Sequence, residues 1–185
     1  MLWRARHEPA SLVIGIDASA AAMSESSLRA ARPAAKGGLP NALFVVAAAE
    51  CPPDELLGIA DEITVLFPWG SLLRGALAID DARDASSGIV ALTAPGGLVT
   101  IVVSVEGRDG LDLPPMNAGI RDGLAARWRG QGLGLTSFGP VAAAASNASG
   151  SSWARRLAVG RDRAAWCFVL RRPNHPDEAG DNFQP

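Results

Sequence analysis

The chain has 185 residues, enough for one domain with a real core, and its 48% apolar and 19% charged content is that of an ordinary globular protein. A formal charge of −2 excludes a protein that coats nucleic acid along its whole length and allows only a local basic face. No apolar stretch reaches the roughly 18 residues of a membrane span, and MLWRARHEPASL lacks a secretory apolar segment, so a cytoplasmic protein with no membrane partner is expected.

The chain alternates strand-like and helix-like segments. SLVIGID (Ser11 to Asp17) is a short β-rich run that ends on an acid, and ALFVVAAAE (Ala42 to Glu50) repeats that design. EITVLFPW (Glu62 to Trp69) and GGLVTIVVSVE (Gly97 to Glu106) are two further strands of continuous apolar character, the pattern of a parallel sheet covered on both faces. Helix-compatible segments lie at Ala20 to Ala31, Pro53 to Ala60 and Leu72 to Leu92, which makes a βαβαβ order and an α/β sheet wound on both sides. A Gly/Pro-rich loop follows Glu106, then a helix from about Asn117 to Arg129. LGLTSFGPV and AAWCFVLRR close the sheet as an antiparallel pair at its edge. Residues 1–173 form one domain on this reading, and the polar tail 174–185 is expected to be disordered.

Cys51 and Cys167 make no CxxC pair, and His7 and His175 sit near opposite ends, so no metal is expected. Lys36 is the one lysine among seventeen basic residues, so arginine content partly reflects codon usage. Trp3, Trp128 and Trp166 carry no motif and read as packing residues.

In open α/β sheets ligands bind at the carboxyl ends of strands. Here those ends carry Asp17, Glu50, and Trp69 with Ser71. Asp17 has two readings. It caps the helix that starts near Ser19, or it accepts from the ribose of a nucleotide-like cofactor. Trp69 raises a similar choice, because burial statistics favour a core ring whereas its place between Pro68 and Gly70 favours one held out to stack on a flat ligand.

GIDASAAAM, KGGLPNALFVVAAAE, LFPWGSLLRG and SSWARRLAVGRDR together resemble the 16S rRNA (adenine-1408 N1) methyltransferases of aminoglycoside resistance, the kanamycin-apramycin resistance family. The likeness runs from Leu12 to about Leu77 and again from Ser151 to about Arg163; Asp80 to Asn147 matches in layout only. It implies a Rossmann-like class I S-adenosylmethionine-dependent methyltransferase sheet. It also implies methyl transfer to N1 of the adenine in 16S rRNA of the assembled 30S subunit, with no DNA partner. By position, Asp17 resembles the acid that binds the cofactor ribose, and Ala49 and Glu50 the residues at its adenine end. Leu66 and Ser71 resemble further pocket lining, and Trp69 and Trp153 the pair that holds the target adenine. Arg29, Arg32 and Lys36 fall in one rRNA-contacting segment, and Arg156, Arg161 and Arg163 in the other.

The family's first strand and glycine-rich motif have no counterpart before Asp17. That strand lies in the middle of the family sheet, so its absence is expected to leave two strands with unpaired edges. On this reading Met1 is an internal methionine of a longer frame, and the chain as written binds S-adenosylmethionine poorly; tight binding in calorimetry would contradict that. Two other readings stand beside the enzyme: a non-catalytic RNA-binding remnant, and a class I methyltransferase acting on another RNA or a small molecule.

Overall fold

The computed structural model describes residues 1–79, 83–104, 116–141 and 164–174. The chain divides into two compact units, Met1–Pro53 and Asp54–Pro185.

The first unit is a short helix followed by one βαβ crossover: α1 (Leu2–His7), β1 (Val13–Asp17), α2 (Ala20–Ala30) and β2 (Ala42–Val46). β1 and β2 run parallel, in register from Val13 opposite Ala42 to Asp17 opposite Val46. Ser19 caps α2 by accepting the Ala22 N–H at 3.2 Å. The core is small. Ala5, Ala30 and Ala42 are buried against Leu2, Val13, Leu39 and Phe44. Polar bonds supplement it: the Asn41 side-chain amide donates to the carbonyls of Ala5 at 2.9 Å, Glu8 at 3.2 Å and Ser11 at 2.9 Å, tying the end of α1 to the start of β2. Trp3 departs from the packing role expected of it; its ring lies on the surface, stacked on His7 with centroids 4.3 Å apart.

The second unit carries a four-stranded sheet in the order β3-β4-β6-β5, where β3 is Ala60–Leu66, β4 Thr93–Val103, β5 Gly134–Pro140 and β6 Trp166–Arg171. β3 and β4 are parallel, and β6 is antiparallel to both β4 and β5. The late antiparallel pair thus forms the edge as expected, with β6 inserted between β4 and β5. Helices α3 (Gly70–Ala76), α4 (Arg83–Leu92) and α5 (Arg121–Arg129) accompany the sheet. Val99, Ile101, Val103, Phe168 and Leu170 of the sheet are fully buried together with Leu124 and Trp128 of α5. The Trp128 indole N–H donates to the Ala76 carbonyl at 3.2 Å, so the largest core ring leaves no polar atom unpaired.

Two expected helices differ. Pro53 to Ala60 holds only a single turn, Asp54–Leu56, because Gly58 takes φ +68° and β3 begins at Ala60. Leu72 to Leu92 is two helices. α3 stops where Ala78 adopts φ +51°, with the Ala78 N–H on the Gly75 carbonyl and the Ile79 N–H on the Arg74 carbonyl. That bond pair is a left-handed helix cap with alanine in the place glycine usually takes.

Among the described residues, β1 pairs only with β2 and β3 only with β4, so each presents one open ladder edge. Also among the described residues, no helix is long and apolar enough to cross a membrane.

Cys51 is exposed, whereas Cys167 lies half-buried in β6 between two strands, and burial pushes its thiol above the usual range. At pH 8, iodoacetamide is expected to alkylate Cys51 about tenfold faster than Cys167 or more. Equal rates in a peptide map would contradict the placement of β6 inside the sheet.

Candidate functional site

The carboxyl ends of the parallel strands hold the site residues in two groups. In the first unit, the Ala47 N–H donates to the Asp17 carbonyl at 3.1 Å and extends the ladder past β2, which brings residues 47–50 beside the end of β1. A turn closed by the Cys51 N–H on the Ala48 carbonyl at 3.1 Å then places Ala49 and Glu50 at its centre. Ala49 is half-buried and Glu50 exposed. Asp17 is exposed, and its Oδ1 accepts the Ser19 N–H at 2.8 Å. Its other carboxylate oxygen has no partner among the described residues. The cap of α2 is therefore Ser19, and Asp17, expected as a possible cap, steadies the turn before it through one oxygen only.

Arg29, Arg32 and Lys36 are exposed at the end of α2 and in the turn after it. Gly37 (φ +79°) and Gly38 close that turn, with the Leu39 N–H returning to the Ala30 carbonyl at 2.9 Å. Three exposed cations thus fall within eight residues, at the end of α2 and in the turn that follows it.

In the second unit, Leu66, Trp69 and Ser71 gather at the end of β3. Phe67 follows the strand with φ +50°, a conformation few bulky residues adopt, and its N–H donates to the Val102 carbonyl at 2.7 Å. Its ring is buried, packed with Leu66, Val102, Val141 and Ala165. Pro68 is buried as well. Gly70, the first residue of α3, takes φ +59°. Between these fixed points Trp69 has extended backbone, and its side chain is 78% exposed. Ser71 is exposed in the first turn of α3, and Leu66 is half-buried. Trp69 is thus no core residue; the turn holds the ring outward.

Trp153, Arg156, Arg161 and Arg163 lie outside the described residues. Two contributors escaped the sequence reading. Phe67 differs from an ordinary strand-end aromatic only in its backbone, which leaves no mark in composition. Asn41 was visible as part of KGGLPN, but its task of holding three carbonyls was not.

Residues 1–171 match the family described as NpmA: 16S rRNA (adenine(1408)-N(1))-methyltransferase. A 16S rRNA (adenine(1408)-N(1))-methyltransferase from Streptoalloteichus hindustanus is 37% identical over 165 residues, covering 86% of this chain and 75% of that protein. The crystal structure of the 16S rRNA methyltransferase KamB superposes with a TM-score of 0.83 at 31% identity, over 93% of this chain and 81% of that one. A tryptophan variant of the corresponding enzyme from Catenulisporales acidiphilia, crystallised with the cosubstrate SAM, gives a TM-score of 0.82 at 31% identity, covering all of this chain and 82% of that one.

Proposed function

Because the chain belongs to the 16S rRNA (adenine(1408)-N(1))-methyltransferase family, we propose that it transfers a methyl group from S-adenosylmethionine to N1 of that adenine. The proposed setting is the cytoplasm, on the assembled 30S subunit, where the modification gives resistance to aminoglycosides. Residues 1–173 act as the methyltransferase domain. The observation that carries the reading is the outward ring of Trp69, 78% exposed yet anchored on both sides by left-handed residues at the carboxyl end of a parallel strand.

A base in a folded rRNA helix exposes its Watson–Crick edge for methylation only after leaving the stack, which costs a few kcal/mol. Stacking on an aromatic ring returns about 1–3 kcal/mol per base. Trp69 and Trp153 together offset much of the flip. Arg29, Arg32 and Lys36 at the end of α2 and in the turn after it, with Arg156, Arg161 and Arg163 in the second segment, bind phosphates and so position the protein by rRNA shape.

The residues present fit the adenosine half of the cofactor. In the first unit Asp17 has an unshared carboxylate oxygen that would accept from ribose hydroxyls, and the Ala49–Glu50 turn would receive the adenine; Leu66 and Ser71, at the end of β3, are proposed as further cofactor-binding residues. When bound, the cofactor supplies a methyl group already activated on a sulfonium. The protein's residues then need only hold the adenine N1 in line and exclude water, with positioning as the main source of rate. That explains a site with no Ser-His-Asp set.

Asp17→Asn keeps an acceptor for the Ser19 N–H but removes the carboxylate, and is expected to raise the Kd for S-adenosylmethionine about tenfold, the value of one charge-assisted hydrogen bond. An unchanged Kd in calorimetry would leave Asp17 with its bond to the Ser19 N–H alone.

The exposed cations Arg29, Arg32 and Lys36 also allow one second reading, an RNA-binding protein that docks on the small subunit without methylating it. Incubation of purified 30S subunits with this chain and radiolabelled S-adenosylmethionine separates the two. Incorporation of label supports the enzyme; retention of the chain on the subunit with no label supports the second reading.

A further inference from the structure

The two sides of α1 differ in character. Leu2 and Ala5, at helical spacing, form its inner side: Ala5 is buried with Ala30 at the end of α2 and Ala42 at the start of β2, and Leu39 packs against them. Trp3, Arg6 and His7, also at helical spacing, form its outer side, and all three are exposed.

The outer tryptophan is held in place without being part of a core. Its ring stacks on the His7 imidazole, with centroids 4.3 Å apart and planes 25° from parallel. The His7 Nδ1–H donates to the Trp3 carbonyl at 2.7 Å, which fixes the imidazole on the helix backbone. One face of the indole is thereby taken, yet the residue remains 56% exposed, so the opposite face is open to a flat partner.

The charges around that ring favour RNA as the partner. Arg4 and Glu8 neutralise each other, with the Arg4 Nε–H donating to both carboxylate oxygens at 3.1 and 3.0 Å. Arg6 has no ion-pair partner among the described residues. The segment against which α1 packs, Ala30 to Leu39, carries Arg32 and Lys36, and Arg29 directly precedes it. Asp17 and Glu50 lie toward the other end of the strands, at and beyond the carboxyl ends of β1 and β2, whereas Asn41 ties the end of α1 to the start of β2. An aromatic platform among uncompensated cations is the arrangement that binds unpaired nucleotides. An acidic protein surface would meet the cations and leave the indole face unused.

We propose that the outer side of α1 is a further RNA contact, in which the open face of Trp3 stacks on an unpaired base and Arg6 holds a phosphate beside it. The identity of the RNA rests on the small-subunit reading above; the contact itself rests on α1 and its neighbours.

The first test is binding of variant chains to purified 30S subunits. Trp3→Ala is expected to weaken binding about tenfold and Trp3→Phe about threefold or less, since a smaller π face still stacks. Arg6→Gln is expected to lower the slope of log Kd against log salt by about 0.8, the loss of one phosphate contact. Affinity of Trp3→Ala within about twofold of the parent overturns the proposal. If Trp3→Ala lowers the melting temperature by more than about 5 °C, Arg6→Gln decides, because an exposed arginine without an ion pair leaves the fold intact. A reduced slope then upholds the contact, and an unchanged one overturns it.

A photocrosslinker identifies what lies against the helix. Benzoylphenylalanine in place of Trp3 is expected to crosslink to 16S rRNA; a crosslink only to a ribosomal protein, only to a second copy of the chain, or to nothing overturns the proposal. Failure of the unmodified chain to bind 30S subunits would instead overturn the small-subunit reading, and fluorine NMR then decides on the contact. In a chain labelled with 5-fluorotryptophan, with Trp3 assigned by Trp3→Phe, a single-stranded RNA of about 12 nucleotides is expected to shift the Trp3 resonance and leave that of the buried Trp128 in place. A Trp3 resonance that does not move overturns the proposal.

Discussion

Trp69→Ala is expected to reduce the rate of methyl transfer to 30S subunits by about a hundredfold, with the affinity for S-adenosylmethionine unchanged. The magnitude follows from the energetics of the flipped base. Stacking on one aromatic face is worth about 1–3 kcal/mol, and each 1.4 kcal/mol is a factor of ten. The upper part of that range applies because Trp69 projects from a turn fixed at Phe67, Pro68 and Gly70, so little ordering is needed when the base arrives. Trp69→Phe retains a π face and should lose about tenfold or less. The ring is 78% exposed, so its removal opens no cavity, and thermal stability should stay within about 0.5 kcal/mol of the parent. A large drop in melting temperature, or full activity in the alanine variant, would be inconsistent with a ring whose task is stacking.

The second large effect is expected in the loop that carries Arg29, Arg32 and Lys36. A Cβ added at Gly38 would lie 1.6 Å from the Arg32 carbonyl oxygen and 2.6 Å from its carbon. Both are backbone atoms, so relief requires the loop itself to move. That loop is closed by the Gly38 N–H on the Pro33 carbonyl at 3.2 Å and the Leu39 N–H on the Ala30 carbonyl at 2.9 Å, and it borders a core built mainly of alanines. Gly38→Ala should therefore cost roughly 3 kcal/mol in denaturant unfolding, and weaken rRNA binding through displacement of the three cations. Its neighbour supplies the control. Gly37 has φ +79° but nothing within 4 Å of an added Cβ, so Gly37→Ala meets only the left-handed penalty, about 1–2 kcal/mol. Equal costs for the two variants would show that backbone conformation, and not the close approach to Arg32, makes glycine necessary in this turn.

These two cases show what the sequence made legible. The strands were readable because VIGID, ALFVV and EITVL are continuous apolar runs, a signal that needs no knowledge of their neighbours. The strand-end rule singled out Asp17, Glu50 and Trp69 as candidates; Asp17 closes β1, whereas Glu50 and Trp69 stand four and three residues beyond β2 and β3. The break between α3 and α4 was not readable. It depends on Ala78 taking the left-handed position at the end of α3, and alanine advertises helix continuation. The Pro53–Ala60 segment misled in the same way, because Glu55, Leu56 and Leu57 favour helix while Gly58, whose N–H reaches the Ala91 carbonyl at 2.7 Å, ends the turn.

At the site, KGGLPN was recognisable as a signature before its physical reason was available. The structure supplies that reason for three of its residues: Gly37 and Gly38 turn the chain, and Asn41 holds the carbonyls of Ala5, Glu8 and Ser11. Phe67 is the opposite case. Its ring looked like the end of a strand, whereas its role depends on a backbone conformation and on contacts with Val141 and Ala165, more than seventy residues away in the chain. Long-range packing of this kind leaves no periodic trace. Trp3 failed for a third reason: a tryptophan on a six-residue helix has too little neighbouring core to bury it, and it stacks on His7 at the surface instead.

The central claim is that this chain, with S-adenosylmethionine, methylates one atom of one nucleotide. The measurement that tests it most directly is mass-spectrometric mapping of 16S rRNA after incubation of 30S subunits with the chain and the methyl donor, with primer extension across the decoding site to locate the modified base. The account predicts one added methyl group on adenine 1408 at N1, read as a primer-extension stop beside that nucleotide. Methylation at another nucleotide or another atom, or an unmodified rRNA after prolonged incubation, would contradict it.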